Sequence, residues 1–259
     1  MNILELHDLS VGHSPSRPLI EKINCAVSER SVTLLLGPNG SGKSTLLRAL
    51  SGFDRRLGGT IQIGGKHIGE YSRNDLARIL SIVTTDALPP SPHLTVRQLV
   101  GLGRQPYSGI FGRLSSKDRQ IVHEALELVG ITDIASRNVS TLSDGERQKA
   151  MIARAIAQQP RLLLMDEPTG YLDVASRIDI MRLIQRMVET SHASLSIILS
   201  SHDVSSALSA ATDLWLIDPK EHRLITGQKD ALLQSPDMNI PFRNRGVVFN
   251  PSTLDYKQK

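Results

Sequence analysis

The sequence predicts an α/β fold with a mainly parallel β-sheet. Two continuously apolar runs, Leu162–Met165 and residues 195–199, are each followed by a segment with helical periodicity, as expected for strands buried on both faces of a sheet. A third apolar run, Val32–Leu36, leads through a glycine-rich loop into another helical pattern. Such alternation of strands and helices is typical of a parallel sheet covered by helices.

The overall composition is that of a soluble globular protein. The 259 residues are 40% hydrophobic and 22% charged, and a chain of this length can bury the core of one large or two modest domains. The net charge of +4 is a small excess spread through the chain, so it does not predict a nucleic-acid partner. Cys25 is the only cysteine, which excludes an intrachain disulfide.

No membrane span or signal peptide is predicted. No apolar segment approaches the ~20 residues that a span requires. The first residues carry acids where a signal peptide would be basic and then apolar. Any work at a membrane is therefore expected to go through another protein.

An antiparallel β subdomain is predicted in the first part of the chain. Short strands are expected at residues 3–9 and 19–27 around a polar turn at residues 12–18, with a further strand at residues 60–63 between glycine pairs. A short helix then leads into a strand at Leu80–Val83.

A helical subdomain of roughly 70 residues is predicted as an insertion at about residues 87–160. Prolines and a serine break the regular pattern at its start, and helical periodicity follows at residues 96–102 and 117–129. Ser115 and Asp118 have the spacing of a capping box at the start of the second of these helices.

The chain is expected to form one domain at residues 1–235, followed by a tail at residues 236–259. A strand at residues 223–226 and a short helix at residues 229–234 are predicted near the boundary. The sequence beyond them predicts only weak structure.

A phosphate-binding loop (Walker A) is the motif around which the chain is organised. Glycines fall where the backbone must approach a polyphosphate closely, and the following helix directs its free N–H groups at the anion. Lys43 would reach the β- and γ-phosphates, and the Ser44 hydroxyl would bind Mg²⁺. The alternative is a glycine-rich turn that matches by accident. The motif comprises Gly37, Pro38, Asn39, Gly40, Ser41, Gly42, Lys43, Ser44 and Thr45.

Two acids and a histidine are predicted at the sheet edge where ligands of open α/β sheets bind. Asp166 and Glu167 follow one apolar run, and His202 follows the next. Asp166 can hold Mg²⁺, and Glu167 can act as a general base toward the water that attacks the γ-phosphate. His202 is placed to bond the γ-phosphate and this water. Taken alone, the acids could face solvent and the histidine could be structural.

Ser143 and Gly145 lie at the start of a helix that is predicted to run to Ala157. Ser143 can cap that helix, and Gly145 leaves its N-terminal amides open to an anion. A plain helix cap is the alternative. The position of this segment between the phosphate loop and the acidic strand favours a role at a nucleotide.

The order and spacing of these motifs resemble the nucleotide-binding subunit of an ABC transporter. The motifs are the phosphate loop, LSDGE at residues 142–146, LLLMDEP at 162–168, YLD at 171–173 and SSHD at 200–203. The resemblance covers about residues 3–234 and implies a P-loop NTPase core that binds ATP and Mg²⁺ and hydrolyses ATP. It also implies a head-to-tail homodimer, in which one half-site contains Lys43, Ser44, Asp166, Glu167 and His202 and the opposite one contains Ser143, Gly145 and Glu146.

A second pattern, LTVRQLVGLGRQPY at residues 94–107, is similar to ATPases that energise import of ferric siderophores, haem and cobalamin. The similarity implies that the helical subdomain grips a membrane permease and that a periplasmic or lipoprotein substrate-binding protein takes part indirectly. It places the chain peripherally on the cytoplasmic face of the inner membrane. An amphipathic helix packed within the fold would also explain the apolar positions of this pattern.

Three positions depart from the family pattern. Thr85 stands where a glutamine usually contacts Mg²⁺, so we expect its shorter side chain to reach the metal only through water. His13 stands where an aromatic residue usually stacks on adenine, and imidazole offers less area. Asp144 and Glu146 add negative charge near a triphosphate, and we expect both carboxylates to point away from the phosphates.

Other functions remain open from these motifs. An export ATPase would use the same chemistry with a different permease, although export chains often carry their membrane spans fused. A soluble ABC ATPase of DNA repair or translation would show paired units or a long coiled-coil insertion, and the sequence has neither. A P-loop kinase would require a second substrate pocket, which the sequence does not indicate.

Overall fold

The computed structural model of the chain describes residues 1–14, 16–53, 56–84, 94–108, 113–190, 194–243 and 246–258. The strands in these ranges are β1 (Asn2–Ser14), β2 (Arg17–Ser28), β3 (Val32–Leu36), β4 (Gly58–Ile63), β5 (Lys66–His67), β6 (Leu80–Val83), β7 (Leu162–Met165), β8 (Ser196–Ser200), β9 (Asp213–Asp218), β10 (Arg223–Gln228), β11 (Val247–Asn250) and β12 (Asp255–Gln258). The α-helices are α1 (Lys43–Leu50), α2 (Arg73–Ile79), α3 (Val96–Gly101), α4 (Ser116–Val129), α5 (Asp144–Ala157), α6 (Val174–Thr190), α7 (Val204–Ala210) and α8 (Lys229–Leu233).

The largest sheet confirms the predicted, mainly parallel arrangement. Within the described residues its strand order is β10-β9-β3-β8-β7-β6, and all neighbours pair in parallel except β10 with β9. Every residue of β3 and of β7 is buried, because helices and the second sheet cover both faces. The residues that follow β3, β7 and β8 therefore meet at one edge of the sheet.

A second sheet, in the order β2-β1-β4-β5, confirms the predicted antiparallel β subdomain. The predicted turn at residues 12–18 is too long, because Gly12 pairs with Pro18 and Ser14 pairs with Arg17. Pro18 is tolerated on the outer strand β2, where its missing N–H is not needed. Gly12 allows the close approach, since a Cβ there would lie 2.6 Å from the Arg17 carbonyl oxygen.

Helices α3, α4 and α5 pack together in the region predicted to be helical. Helix α4 begins with the predicted capping box of Ser115 and Asp118, and α3 begins with a second box formed by Thr95 and Gln98. The apolar faces of these helices join one core with the central sheet. The start of the predicted insertion, near residue 87, lies outside the described residues. In the described ranges no helix combines the length and apolar content needed to cross a bilayer.

The C-terminal segment, residues 236–243 and 246–258, is structured where the sequence predicts weak order. A 3-10 helix at Pro236–Phe242 is followed by a hairpin of β11 and β12. Phe242 and Phe249 pack edge-on against Tyr256, with ring centroids 4.5 and 5.3 Å apart. The prediction is wrong because these few apolar residues become buried through distant partners, β9 and α7, which no local pattern reveals.

Candidate nucleotide-binding site

The loop between β3 and α1 adopts a conformation that requires glycine. Gly40 and Gly42 have φ angles of 78° and 104°, in the left-handed region that side chains disfavour. A Cβ on Gly37 would lie 2.5 Å from the Ser41 hydroxyl and 3.2 Å from Ile217 Cβ. The chain therefore turns tightly at the end of β3, as a phosphate-binding loop requires.

Lys43 and Ser41 place polar groups inside this loop. The Lys43 ammonium donates to the carbonyl oxygens of Gly37 and Pro38, at 2.9 and 3.3 Å, and the side chain is buried. The Ser41 hydroxyl is buried and has no hydrogen-bond partner within the described part of the chain. A phosphate oxygen would satisfy this hydroxyl and balance the Lys43 charge, so the loop fits a polyphosphate.

Ser200, at the end of β8, joins the two acids that follow β7. Its hydroxyl donates to Asp166 Oδ1 at 2.6 Å and accepts the Glu167 backbone N–H at 3.0 Å. Ser200 is fully buried, and Asp166 is 8% exposed. The sequence assigns Ser200 no separate role. The adjacency of β7 and β8 is the signal that identifies it.

Glu167 and His202 form a close pair. His202 Nε2 lies 2.6 Å from Glu167 Oε1, so the ends of β7 and β8 bring these two predicted site residues together. Glu167 has a φ of 51°, a conformation that costs a non-glycine residue on the order of 1 kcal/mol and that is found more often at functional sites.

The phosphate loop and the residues that follow β7 and β8 line one cleft of about 880 Å³. It contains Lys43, Glu167 and His202, together with His13 from β1. Of the other phosphate-loop residues, the cleft is lined by Asn39, Gly40, Gly42, Ser44 and Thr45. Asp166 is buried beside the cleft and bound to Ser200.

The cleft also contains residues to which the sequence assigns no role. They include Arg177 from α6, Asp203 before α7 and Asp255 from β12. Asp203 belongs to the SSHD motif, which is a signal for its position. Asp255 arrives from the C-terminal segment, and no spacing in the sequence indicates it.

Ser44 and Asp166 offer hydroxyl and carboxylate oxygens, which are ligands that Mg²⁺ prefers. No group of three or more His, Cys, Asp or Glu side chains that could hold a metal occurs in the described ranges. Mg²⁺ usually keeps several waters and binds through one or two carboxylates plus substrate phosphates, so this small donor set fits it. Thr85, the third predicted metal contact, lies outside the described residues.

Ser143, Gly145 and Glu146 line a different depression, of about 200 Å³. Ser143 caps α5, and Glu146 completes a capping box by accepting the Ser143 N–H at 2.8 Å. Glu146 also contacts Arg137 at 2.9 Å. The Ser143 backbone N–H is the main cause that lowers the pKa of Glu146, with further contributions from the Ser143 hydroxyl and Arg137. Within one copy of the chain, the residues that line this depression are different from those that line the cleft with the phosphate loop.

A further groove of about 730 Å³, the subdomain groove, is lined by residues from both the sheet domain and the helical region. Phe53, which follows α1, lines it together with Leu102 and Pro106 of the helical region. Phe53 is 74% exposed and Leu102 is 40% exposed. Arg154 and Gln158, near the end of α5, also line this groove.

Arg104, within the second sequence pattern, is buried rather than presented to a partner. Its Nε lies 2.9 Å from Asp118 Oδ1, and its Nη1 donates to the Ala157 carbonyl at 2.7 Å. The guanidinium also lies 3.9 Å from the centre of the Tyr107 ring. Part of the pattern at residues 94–107 therefore fastens α3, α4 and α5 together.

Comparisons with known proteins extend these observations. The model of the ABC transporter family matches residues 20–170. The iron(3+)-hydroxamate import ATP-binding protein FhuC of Bacillus subtilis is 39% identical over 238 residues, which are 92% of this chain and 86% of that protein. The ferric enterobactin transport ATP-binding protein FepC of Escherichia coli is 36% identical over 194 residues, which are 75% of this chain and 70% of that protein.

A solved structure is also similar to this fold. It is an inward-facing ABC transporter assigned to the metal-chelate type, with a TM-score of 0.80 and 26% sequence identity. The match covers 94% of this chain and 90% of that chain. The likeness therefore extends well beyond the short motifs.

Proposed function

Because this chain belongs to the ABC transporter family, we propose that it is the ATP-hydrolysing subunit of an importer for a metal chelate, such as a ferric siderophore, haem or cobalamin. The observation that carries the catalytic part is the convergence of Lys43, Glu167 and His202 in one cleft. The cargo class is supported by relatives named for iron(3+)-hydroxamate import and ferric enterobactin transport.

The phosphate loop binds ATP through its backbone N–H groups and Lys43. Lys43 exchanges its contacts with the loop carbonyls for charge-assisted hydrogen bonds to phosphate oxygens. Ser44 and Asp166 would hold Mg²⁺, which would supply positive charge to neutralise the phosphates. His13 lines the side of the cleft formed by β1, where its imidazole stacks on the adenine ring.

Glu167 is the general base for hydrolysis. Its carboxylate orients a water and accepts a proton from it as the water oxygen bonds to the γ-phosphorus. The bond from this phosphorus to the β–γ bridging oxygen breaks, and ADP leaves. His202, 2.6 Å away, keeps the carboxylate in place and contacts the γ-phosphate. Positioning and electrostatic stabilisation supply most of the rate in such phosphoryl transfers.

A second copy of the chain completes each site. Ser143 and Gly145 line a depression separate from the cleft, so they contact a nucleotide only when another copy presents one. Tyr171, Val174 and Ile178 are 92%, 71% and 40% exposed, and Tyr171 lines the cleft. A second copy would cover this apolar patch, which is of a kind that marks interaction sites.

The subdomain groove receives a cytoplasmic segment of the membrane permease. Phe53 and Leu102 offer exposed apolar contacts to that segment, and Arg73 and Arg154 add positive charge to the groove. The chain then lies peripherally on the cytoplasmic face of the inner membrane. A periplasmic or lipoprotein substrate-binding protein serves the permease from the opposite side.

The Glu167→Gln variant tests the catalytic assignment. The amide keeps the side-chain size but cannot accept the proton, so we expect hydrolysis to fall by ~10²- to 10⁴-fold. ATP binding should persist, and a dimer should accumulate with Mg·ATP. Steady-state phosphate release and light scattering after size-exclusion chromatography measure the two effects. Hydrolysis at the parent rate would show that Glu167 is not the base.

The Ser143→Arg variant supplies the complementary test of the second half-site. An arginine there should block the dimer formed by Glu167→Gln, while ADP binding by the phosphate loop stays unchanged. Two results together would refute the two-copy site. The Glu167→Gln variant would stay monomeric with Mg·ATP, and the Ser143→Arg variant would hydrolyse ATP at the parent rate.

A further inference from the structure

A fully buried carboxylate lies beside the phosphate loop and has no role in the site described above. Asp218 ends β9, which pairs in parallel with β3 so that Leu36 faces Leu216. The Asp218 side chain is 0% exposed. The preceding residue, Ile217, is the one whose Cβ would lie 3.2 Å from a Cβ on Gly37. Asp218 therefore lies next to the first turn of the loop.

Several donors surround Asp218. The backbone N–H groups of Lys220 and Glu221 donate to its Oδ1 at 3.1 and 3.3 Å. Arg223 Nε from β10 lies 3.4 Å from Oδ2, and Arg243 Nη2 from the C-terminal segment lies closer, at 2.5 Å. A buried carboxylate needs such charged partners, so Arg243 ties the C-terminal segment to the end of β9.

The same segment and the phosphate loop share one groove. This groove, of about 340 Å³, is lined by residues 38–41 of the loop, by residues 218–220 after β9, and by Ile240, Pro241 and Arg243 of the segment. Asn39 and Gly40 also line the nucleotide cleft, so the loop separates the groove from the cleft. The hairpin of the same segment reaches the cleft itself through Asp255.

We propose that the C-terminal segment supports the nucleotide site and that Arg243, anchored by Asp218, is a positioning residue that holds this segment behind the phosphate loop. A segment held behind the loop limits the space into which the loop can move, so the loop keeps its N–H groups directed at the phosphates. Without this support the loop samples more conformations, and nucleotide binding must order it at a cost in affinity. The inference rests on the proposed function, because it requires that the loop binds a nucleotide.

ADP binding by the full chain tests this inference, because the β-phosphate contacts the loop of a single copy and no dimer is needed. Arg243→Gln should weaken ADP binding by about 10-fold, which corresponds to about 1.4 kcal/mol, as measured by isothermal titration calorimetry. It should also raise the KM for ATP more than it lowers kcat. Arg243→Lys keeps the positive charge and should restore most of the affinity.

Arg223→Gln is the matched control. Arg223 contacts the same Asp218 oxygen but does not line the groove behind the loop. Both glutamine variants should lower the melting temperature, whereas only Arg243→Gln should weaken ADP binding. Ile240→Ala removes part of the groove lining that the C-terminal segment supplies, without changing a charge. It should also weaken ADP binding.

The outcomes separate the two proposals. Parent-like ADP affinity in Arg243→Gln, or an equal loss in Arg223→Gln, would overturn the positioning role. Failure of the unaltered chain to bind ADP would instead overturn the proposed function. If Arg243→Gln does not fold, Ile240→Ala decides, and parent-like ADP affinity in that variant would overturn the positioning role.

Discussion

Ser200 shows how a small buried side chain can set the geometry of two acids. Its hydroxyl bridges Asp166 Oδ1 and the Glu167 N–H, so it fixes the proposed metal-binding carboxylate relative to the proposed base. A side chain without a hydroxyl would leave both groups without this partner in a buried place, and such groups are costly to leave unpaired.

The Ser200→Ala variant is predicted to lower kcat for ATP hydrolysis by about 10-fold and to cost about 1 to 3 kcal/mol of unfolding free energy. ADP affinity should change little, because the phosphate loop is untouched. Kinetics and calorimetry on the same preparation separate these effects. Ser201→Ala is the control, since the Ser201 hydroxyl bonds the backbone of Asp203 and neither of the two acids in the hydrogen bonds described above. An equal loss of kcat in both variants would contradict the bridging role.

Site residues whose roles depend on adjacent sequence can be predicted, whereas those whose roles depend on distant contacts cannot. The phosphate loop can be predicted because glycines, Lys43 and Ser44 stand within one short stretch, where local geometry decides. Ser200 acquires its role only because β8 lies beside β7. Asp255 enters the cleft only because a distant hairpin folds back. Contacts of this kind depend on strand order and docking, which a local pattern does not specify.

At the scale of elements, Arg104 explains part of the pattern at residues 94–107. The resemblance implies that the helical region grips a permease, and exposed Leu102 in the subdomain groove is consistent with that expectation. Arg104, by contrast, is 3% exposed and paired with Asp118. Burial of this charge could not be predicted, because charged side chains are almost never fully buried unless a partner is present.

Asp118→Asn is predicted to cost about 3 kcal/mol of unfolding free energy at neutral pH, because Arg104 is left buried without its counter-charge. The Ser115 hydroxyl, with help from Arg104, holds the pKa of Asp118 below its usual value of 3.8. The advantage of the parent chain is therefore fully present above pH 3.8 and is lost as pH falls through the lowered pKa of the folded state.

Urea unfolding at pH 7 and at several values below 3.8 measures this dependence. Asp133→Asn, at an exposed position in the same region, is the control and should have little effect at any pH. A difference between Asp118→Asn and the parent chain that stays constant with pH would contradict the assignment.

At the scale of the whole molecule, two exposed apolar surfaces are available for different partners. One consists of Tyr171, Val174 and Ile178 beside the nucleotide cleft, and the other includes Phe53 and Leu102 in the subdomain groove. The proposed function assigns the first to a second copy and the second to a permease. Charges placed on each surface should therefore have separable effects.

Val174→Lys is predicted to prevent the dimer that Glu167→Gln forms with Mg·ATP, because a charge would be buried without a partner at the contact. The monomer should remain folded, since Val174 is 71% exposed. Phe53→Lys changes an equally exposed apolar residue on the other surface and should leave the dimer intact. Light scattering of the two double variants gives the comparison, and a dimer in the Val174→Lys chain would contradict the assigned surface.

Helix α5 runs from the depression at Ser143 to the subdomain groove, which Gln158 lines. Ser143 caps its first turn at the depression that includes Gly145, and Gln158 at its other end donates to the Leu80 carbonyl at 2.7 Å. With a rise of 1.5 Å per residue, the helix is about 21 Å long, so pivoting it by roughly 10° about one end would swing the other by about 4 Å. Such a lever would convert a slight adjustment at a shared nucleotide into a change of shape that a distant membrane partner can sense.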